Sequence, residues 1–275
     1  MEKKEAYTFT SADAENYDFY LGPVIFEPYG EYLAAHIDVA GLSCVLELAS
    51  GTGRVTQHLR SALPAGVELW ATDLNSDMLD IAKRKLGEDG INFKTEDIQH
   101  LSFPDNTFDL VICQFGMMFL PDKQQGFDEI YRVLKPGGKF VCFTWDSTIN
   151  NPMFGLLINE LILPWFEDED PTRFFTPFSL HNPQQLTDWM KNAGFNDVAV
   201  NRIALSSGSV SAEHLETGVF RKHPLGKAVL DKNASAFESV AQQFRKGIVE
   251  WWGDKDVSFP MSALMTVGMK QAFNQ

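Results

Sequence analysis

Residues 45–56 read VLELASGTGRVT, and this stretch decides the fold class. An apolar run, typical of a buried strand, leads into the turn Gly51-Thr52-Gly53, and a helical pattern follows. Glycines let a backbone turn sharply and approach a ligand closely, and the free N–H groups at the start of a helix attract a negative group. The stretch therefore predicts a strand–turn–helix unit of the kind that binds nucleotide-like molecules.

The pattern around this unit, from residue 44 to 146, alternates strands and helices. Apolar runs typical of strands lie at 44–48, 68–73, 91–95, 109–115 and 138–145, and helical patterns lie at 54–63, 76–87 and 122–135. Such alternation indicates parallel strands covered by helices on both faces. We predict that Ser76 caps the second helix and that Pro136-Gly137-Gly138 stops the third helix at Lys135.

The rest of the chain adds two strands and a cover. Helical patterns occur at 12–36, 184–193 and 211–252, strand patterns at 197–205 and 257–270, and an aromatic, proline-broken segment at 150–180. The predicted fold is an α/β, Rossmann-like, doubly wound, mostly parallel seven-stranded sheet with an antiparallel last strand and a helical, aromatic lid. The predicted parts are an N-terminal helical cap (1–36), a core (37–146), a lid insertion (147–182) and the C-terminal part of the sheet (183–275), which holds a helical insertion at 211–252.

Composition narrows the classes of partner. The 275 residues include 23 Lys and Arg against 37 Asp and Glu, a net charge of −14, which repels nucleic acid and anionic membranes. No apolar run is long enough to span a bilayer, and residues 1–8 lack an apolar signal core, so we expect a cytoplasmic protein. Three cysteines without a C-x-x-C pair predict buried, reduced thiols rather than a disulfide framework or a zinc site.

Two acids limit the type of nucleotide. Asp73 ends the next apolar run, 20 residues after Gly53, where an acid can accept both hydroxyls of a ribose. A nicotinamide or flavin protein would favour G-x-G-x-x-G, but Thr56 stands at the third glycine position. Glu47, inside the strand before the turn, would repel a pyrophosphate and attract a cationic amino group. These residues favour a cofactor that carries an α-amino group and an adenosine.

With these motifs the chain resembles the class I S-adenosylmethionine-dependent methyltransferases over residues 40–146. The family motif of an acid followed by x-G-x-G-x-G is similar to residues 47–53, with Ala49 in place of the first glycine. The runs 101–109 and 129–138 resemble small-molecule members, notably the ubiquinone/menaquinone C-methyltransferase group.

The resemblance implies S-adenosylmethionine as cofactor and assigns residues to it. Asp73 would bind the ribose, Asp97 the adenine amino group, and Met78 would pack on the adenine. The implied cofactor site comprises Tyr20, Glu47, Ala49, Gly51, Gly53, Asp73, Leu74, Met78, Asp97, Ile98, Gln114 and Phe115. Taken singly, Asp73 could be a turn acid, Asp97 a loop acid and Met78 core packing. Their joint placement at the carboxyl ends of three successive strands favours the functional interpretation.

The end of the fourth strand bears on the acceptor. Nucleobase and protein-amine methyltransferases of this fold often carry Asn/Asp-Pro-Pro-Tyr there, whereas this chain has Cys113-Gln114-Phe115-Gly116. Metal-dependent catechol methyltransferases need acids at the ends of strands four and five, the second followed by Asn. Here Gln114 ends strand four and Ser147 follows Asp146, so we predict no metal.

The lid segment suggests the substrate class. Its density of aromatic residues favours a flat or lipophilic small molecule, although the rings could instead form the core of the lid itself. His181 is a candidate base that could equally be structural. Tyr17 and Tyr20 resemble a helix that covers the cofactor in related enzymes, and ordinary amphipathic packing is the alternative for both.

The predicted function is therefore methyl transfer from S-adenosylmethionine to oxygen, carbon or nitrogen of a small molecule by in-line displacement. Positioning of the two reactants can supply roughly 7–11 kcal/mol of such a barrier. The alternatives are a non-catalytic methyltransferase-like binding protein and, less favoured, a nicotinamide-dependent oxidoreductase. The sequence leaves the oligomeric state open.

Overall fold

A seven-stranded sheet forms the centre of the protein in the computed structural model, which describes residues 11–272. The strands are β1 (Cys44–Leu48), β2 (Glu68–Asp73), β3 (Asn92–Thr95), β4 (Phe108–Gln114), β5 (Leu134–Trp145), β6 (Asn196–Ser206) and β7 (Pro260–Met269). Their order across the sheet is β3-β2-β1-β4-β5-β7-β6, and β7 runs antiparallel to both of its neighbours while β1 to β5 are parallel. The predicted fold class is confirmed, including the antiparallel last strand.

Helices connect the strands and pack around the sheet. The α-helices are α1 (Ser11–Asn16), α2 (Glu27–His36), α3 (Arg54–Ala62), α4 (Ser76–Leu86), α5 (Lys123–Val133), α6 (Pro152–Gly155), α7 (Pro183–Asn192), α8 (Ala212–Leu215), α9 (Pro224–Lys232) and α10 (Ala234–Trp252). Wider π-helical turns occupy Tyr17–Phe26, Leu156–Ile162 and Glu216–Arg221, and 3-10 turns occupy Met117–Phe119, Thr148–Asn150, Leu163–Trp165 and Pro171–Phe178.

Two predicted helix ends were wrong. The residue that caps α4 is Asn75 and not Ser76, because Asn75 Oδ1 accepts the backbone N–H of Asp77 at 2.9 Å. The helix before β5 ends at Val133 and not at Lys135, because Leu134 already pairs with Phe108 of β4. In both cases a backbone or capping hydrogen bond, invisible to periodicity, sets the boundary.

The strand register brings the carboxyl ends of the parallel strands to one edge. Leu48, the last residue of β1, pairs with Thr72 of β2 on one side and with Cys113 of β4 on the other. One residue further on, Asp73 pairs with Thr95 of β3. The loops that follow β1, β2, β3 and β4 therefore meet at this edge, where open α/β sheets bind ligands.

Three segments cover the sheet. The N-terminal helix, residues 11–36, is continuous through α1, the first π-helical turn and α2. The aromatic lid, residues 147–182, follows β5, and the C-terminal insertion, residues 207–259, carries α8, α9 and α10 between β6 and β7. The first ten residues of the predicted cap lie outside the described residues. The predicted boundaries of the parts therefore stay a prediction.

The aromatic side chains of the lid mostly pack against one another. Phe154, Phe166, Phe174 and Phe178 are all buried, and the guanidinium of Arg173 lies 5.0 Å and 4.8 Å from the rings of Phe166 and Phe174. This arrangement favours the alternative in which these rings form the core of the lid itself.

Between residues 11 and 272, no helix combines the length and the apolar character that crossing a bilayer would require.

Candidate active site

The turn after β1 depends on left-handed backbone. Ala49, Gly51 and Gly53 have φ values of 51°, 55° and 81°. A Cβ on Gly53 would lie 2.8 Å from Leu86 Cδ1 and 3.1 Å from Ala82 Cβ, so only glycine lets α4 approach the turn so closely. Ala49, which replaces the first glycine of the family motif, adopts this conformation at a steric cost. Its methyl group fits because a glycine, Gly116, faces it.

Asp73 joins the end of β2 to this turn. Its Oδ2 accepts the N–H of Gly51 at 2.8 Å, and its Oδ1 accepts the N–H of Asn75 at 2.8 Å. Burial raises the pKa of Asp73, although those two N–H groups act in the opposite direction. Each carboxylate oxygen has further acceptor capacity, so Asp73 can still accept hydroxyl groups of a ligand.

Glu47 points its carboxyl group into the interior below the turn. The residue is 2% exposed, and its Oε2 has no hydrogen-bond partner. Burial raises the pKa of Glu47 to about 8, so the ligand-free protein keeps this carboxyl mostly protonated at neutral pH. A cationic amino group placed nearby would favour the ionised form.

Unpaired polar atoms concentrate around the same edge. Buried polar groups in proteins are nearly always hydrogen-bonded, so a group of unpaired ones at one place is available to bind water or a polar ligand. Among the described residues, buried side-chain oxygens without a partner include Glu47 Oε2 in β1, Ser50 Oγ in the turn after it and Gln114 Oε1 at the end of β4. The Thr56 hydroxyl, in the helix that follows the turn, lies beside the Glu47 carboxyl. These atoms fit a cofactor with amino, carboxylate and hydroxyl groups.

Asp97 and Ile98 lie beside this group. The N–H of Glu96 donates to the carbonyl of Asp73 at 3.1 Å, which places the loop after β3 against the end of β2. Asp97 is half-buried and accepts the N–H of Gln99 at 2.9 Å, while Ile98 is buried. Nothing in this geometry opposes the predicted adenine contact, which stays a prediction.

The two tyrosines of the N-terminal helix face different partners. The Tyr20 ring packs against His214 with centroids 4.9 Å apart, and Lys222 Nζ lies 5.0 Å from its centre, so Tyr20 faces the C-terminal insertion and its predicted cofactor role is not supported. Tyr17 packs instead against the small apolar cluster of Ala14, Met78 and Ile81, and burial together with the nearby charge of Asp73 raises the pKa of its hydroxyl. Tyr17 is thus the tyrosine of this helix that lies near Asp73.

Met78 and Leu74 differ in exposure. Met78 is buried beside Tyr17, whereas Leu74 is 70% exposed at the rim of the edge. Both positions are compatible with contacts to an adenosine, and both assignments stay predictions.

Aromatic side chains surround the end of β4. Gln114 Nε2 donates to the carbonyl of Phe26 at 3.1 Å, and Phe115, with a φ of 58°, stacks on Trp145 with centroids 3.9 Å apart and planes at 5°. Phe26 and Tyr29 of the N-terminal helix lie 5.8 Å and 5.3 Å from the Phe115 ring. We call Phe26, Tyr29, Phe115, Phe143 and Trp145 the aromatic group.

His181 lies outside this arrangement. The residue is exposed, and its Nδ1 is 2.6 Å from the carbonyl oxygen of Phe178. The contact gives no support for a role as base. Sequence reasoning also missed Asp18, which binds the glycine turn directly (Thr52 Oγ1 to Asp18 Oδ1, 2.6 Å), because a single acid on a surface helix carries no distinctive signal.

The fold and the site together define a class of cofactor-binding protein. A sheet of this strand order, a Gly-x-Gly turn after β1, an acid at the end of β2 and unpaired polar atoms between them are the features of a Rossmann-like protein that binds an adenosine-containing cofactor.

Comparison with known proteins identifies the family. Residues 46–142 match a family model described as a methyltransferase domain. The chain is 35% identical over 186 residues to the demethylmenaquinone methyltransferase of Lactiplantibacillus plantarum, covering 61% of this chain and 76% of that protein. It is 33% identical over 180 residues to the ubiquinone/menaquinone biosynthesis C-methyltransferase UbiE of Haemophilus ducreyi, covering 61% and 69%.

A solved structure shares the fold. The phosphoethanolamine N-methyltransferase 2 of Haemonchus contortus, in complex with phosphomonomethylethanolamine and S-adenosylhomocysteine, superposes with a TM-score of 0.58 at 16% identity, over 95% of this chain and 58% of that one. The chain belongs to the class I S-adenosylmethionine-dependent methyltransferases. Its cofactor is S-adenosylmethionine, and it methylates a small molecule.

Proposed function

We propose that the chain methylates a carbon atom of a flat, lipophilic ring of the quinol type. The observation that carries this proposal is the aromatic group beside Gln114, in which Phe115 and Trp145 stack in parallel. Four of these rings are buried, and Phe26 is the partly exposed member that can offer a ring face to a planar substrate. The names of the two relatives, a demethylmenaquinone methyltransferase and a C-methyltransferase of quinone biosynthesis, support the same substrate class.

We propose the following division of roles. S-adenosylmethionine, when bound, supplies a methyl group already activated on a sulfonium. Asp73 accepts the ribose hydroxyls, Glu47 faces the amino group, and Gln114 and Phe115 lie beside the sulfonium. The other proposed contacts are Ala49, Gly51, Gly53, Leu74, Met78, Asp97 and Ile98. We assign no base and no metal, and the chain's main contribution is to hold the acceptor carbon in line.

The surroundings we propose for the enzyme follow from charge and cysteines. A net charge of −14 disfavours nucleic acid as a partner. Cys44, Cys113 and Cys142 are buried free thiols without a disulfide bond, which suits the reducing cytoplasm.

The test combines a screen of methyl acceptors with a variant that probes cofactor binding separately from the substrate. The protein is incubated with S-adenosylmethionine and reduced naphthoquinols or benzoquinols that lack one ring methyl, and a product heavier by one methylene unit is sought by mass spectrometry. Asp73→Asn should weaken binding of S-adenosylhomocysteine by roughly 10- to 100-fold, because it removes a charged acceptor. Asp80→Asn, an exposed acid of α4, is the control and should bind normally.

The outcomes separate substrate from cofactor. If S-adenosylhomocysteine binds but no quinol is methylated while a different acceptor is, the substrate class is wrong and the cofactor site stands. If Asp73→Asn folds and binds normally, the ribose assignment is wrong.

A further inference from the structure

One carboxylate connects the N-terminal helix to the glycine turn. Asp18 Oδ1 accepts hydrogen bonds from Thr52 Oγ1 at 2.6 Å, Arg54 Nε at 3.0 Å and Lys85 Nζ at 2.7 Å. The backbone carbonyl of Asp18 also accepts Arg54 Nη2 at 2.8 Å. Burial would raise the pKa of Asp18, but the hydrogen bonds from Lys85 and Thr52 hold it below its ordinary value. Asp18 is therefore ionised at neutral pH, and its carboxylate accepts hydrogen bonds from all three donors.

The donors come from elements that shape the cofactor site. Thr52 lies between Gly51 and Gly53, Arg54 is the first residue of α3, and Lys85 is in the last turn of α4. Lys85 Nζ also donates to the Thr52 carbonyl at 3.1 Å. The contact thus joins the N-terminal helix to the turn and to both helices that flank it.

The same helix covers the site. Tyr17, the neighbour of Asp18, packs on Met78 close to Asp73. Gly22 passes over Arg54 so closely that a Cβ there would lie 2.5 Å from Arg54 Nε. While Asp18 is bonded to its donors, Tyr17 is held over the residues that we assign to the adenosine.

The C-terminal insertion supports the opposite face of this helix. His214 Nε2 lies 3.0 Å from the carbonyl oxygen of Tyr20, and the N–H of Gly208 donates to the carbonyl of Val24 at 2.8 Å. A Cβ on Gly218 would lie 2.3 Å from Tyr20 Cβ, so the two segments are in close contact. The helix is therefore held on the site side by ionic bonds and on the outer side mainly by packing and backbone contacts.

We propose that Asp18 is a positioning residue that holds the N-terminal helix closed over the bound cofactor, so that cofactor exchange requires the Asp18 contacts to break. The proposal rests on the proposed cofactor site. It does not require Asp18 to touch the cofactor, because Asp18 acts through Thr52 and through the placement of Tyr17. Without the carboxylate, Lys85 loses its ion pair with the helix, and Arg54 keeps its longer contact with Glu27 at 3.4 Å. The attachment of the helix to α4 is therefore broken and its attachment to α3 is weakened.

The test compares two acids of the same helix. Asp18→Asn removes the charge while keeping the shape, and we expect S-adenosylhomocysteine to dissociate about tenfold faster or more, since hydrogen bonds to charged groups are lost. Glu15→Gln is the matched control, because Glu15 pairs with Arg84 of the same α4 at 3.3 Å but both side chains are exposed. The control should leave the dissociation rate unchanged. Stopped-flow release of S-adenosylhomocysteine measures both.

A second measurement does not depend on ligand binding. Amide hydrogen exchange of residues 17–26 should be faster in ligand-free Asp18→Asn than in the wild type, while the amides of β1 and β4 keep their protection. Normal dissociation and normal exchange in residues 17–26 would overturn the proposal. If the wild type binds no S-adenosylhomocysteine, the proposed cofactor site fails, and the exchange experiment still decides whether Asp18 holds the helix.

Lys85 lies in α4, so its substitution tests the same contact without changing the N-terminal helix. Lys85→Gln should accelerate S-adenosylhomocysteine release in the same direction by a smaller factor. The double variant Asp18→Asn/Lys85→Gln should be no faster than Asp18→Asn alone, because the partners act as a unit. Fully multiplicative effects on the release rate would show independent roles and would contradict the proposal.

Discussion

The sheet and the three segments that cover it are stabilised in different ways. The parallel strands β1, β4 and β5 contain apolar runs with mostly buried side chains, whereas β2 is partly buried and the short edge strand β3 is more exposed. The partners of these strands follow within a few tens of residues. The cover shares the apolar core of the sheet and is also joined to it by a few polar contacts between distant residues, such as Asn151 Nδ2 of the lid with the carbonyl of Ser262 at 3.0 Å across 111 positions. Hydrophobic patterning therefore encodes the strands, whereas individual polar side chains add specific points of attachment to the apolar packing of the cover.

The largest expected effect is a change of stability with pH that depends on Glu47, in the strand before the glycine turn. Glu47 has a folded-state pKa raised to about 8, against an ordinary value of 4.5, because it is buried. As pH rises from 4.5 towards 8, the unfolded chain releases this proton before the folded chain does, so stability of the ligand-free protein falls with pH, by on the order of 4–5 kcal/mol. Glu47→Gln, which mimics the protonated form, should remove this fall. Urea unfolding at pH 5, 6.5 and 8 measures it.

Cofactor binding supplies the complementary measurement on Glu47. If the ligand amino group approaches this carboxyl, the bound form is ionised, and binding of S-adenosylhomocysteine near pH 7 should release about one proton. Calorimetry in two buffers of different ionisation enthalpy detects the release, which Glu47→Gln should abolish. Suppose instead that the affinity for S-adenosylhomocysteine depends on pH in the same way in the wild type and in Glu47→Gln, and that binding releases no proton. Glu47 would then not be the group whose ionisation is coupled to binding.

The next effect tests the joint between sheet and lid. Asn151 is 2% exposed, donates to the carbonyls of Asp146, Ser147 and Ser262 at 3.0–3.1 Å, and accepts the N–H of Ser262 at 3.0 Å. Asn151→Ala removes these bonds and deprives a buried N–H of its acceptor, so we expect a loss of about 2–4 kcal/mol in the free energy of unfolding. Denaturant unfolding measures the loss.

The neighbouring asparagine is the control for this joint. Asn150 donates one side-chain hydrogen bond, to Asp146 Oδ2 at 3.0 Å, and is half-buried. Asn150→Ala should therefore cost no more than about 1.5 kcal/mol. Equal losses for the two variants would mean that the lid is attached mainly by its apolar side chains, which would weaken the contrast between sheet and cover.

The same contrast explains which features could be predicted from the sequence. Strands with strong apolar runs were predicted to within a few residues, and β2 was predicted with its observed bounds. The approach of Asp73 to the glycine turn follows from the rule that carboxyl ends of parallel strands share one edge. The partner of Tyr20 could not be predicted, because its ring packs against His214 of the C-terminal insertion, a segment distant in sequence; its assignment to the cofactor stays a prediction. Asp18 and Asn151 could not be found, since their partners lie on elements whose placement only the structure gives.

The smallest effect concerns strain inside the sheet's own glycine turn. Ala49 has a φ of 51°, a left-handed conformation that costs an L-residue about 1–2 kcal/mol. Glycine avoids this cost, but it loses more conformational freedom on folding, so only part of the cost is recovered. Ala49→Gly should therefore raise the free energy of unfolding by about 0.5–1 kcal/mol. Ala71→Gly, the same change at a buried position of β2 without a positive φ, should lower it, because glycine weakens a strand and leaves a void. If urea unfolding shows that Ala49→Gly raises the free energy of unfolding while Ala71→Gly lowers it, the backbone of the turn is strained and that of the strand is not. If both variants lose the same amount of stability, the backbone at Ala49 is not strained.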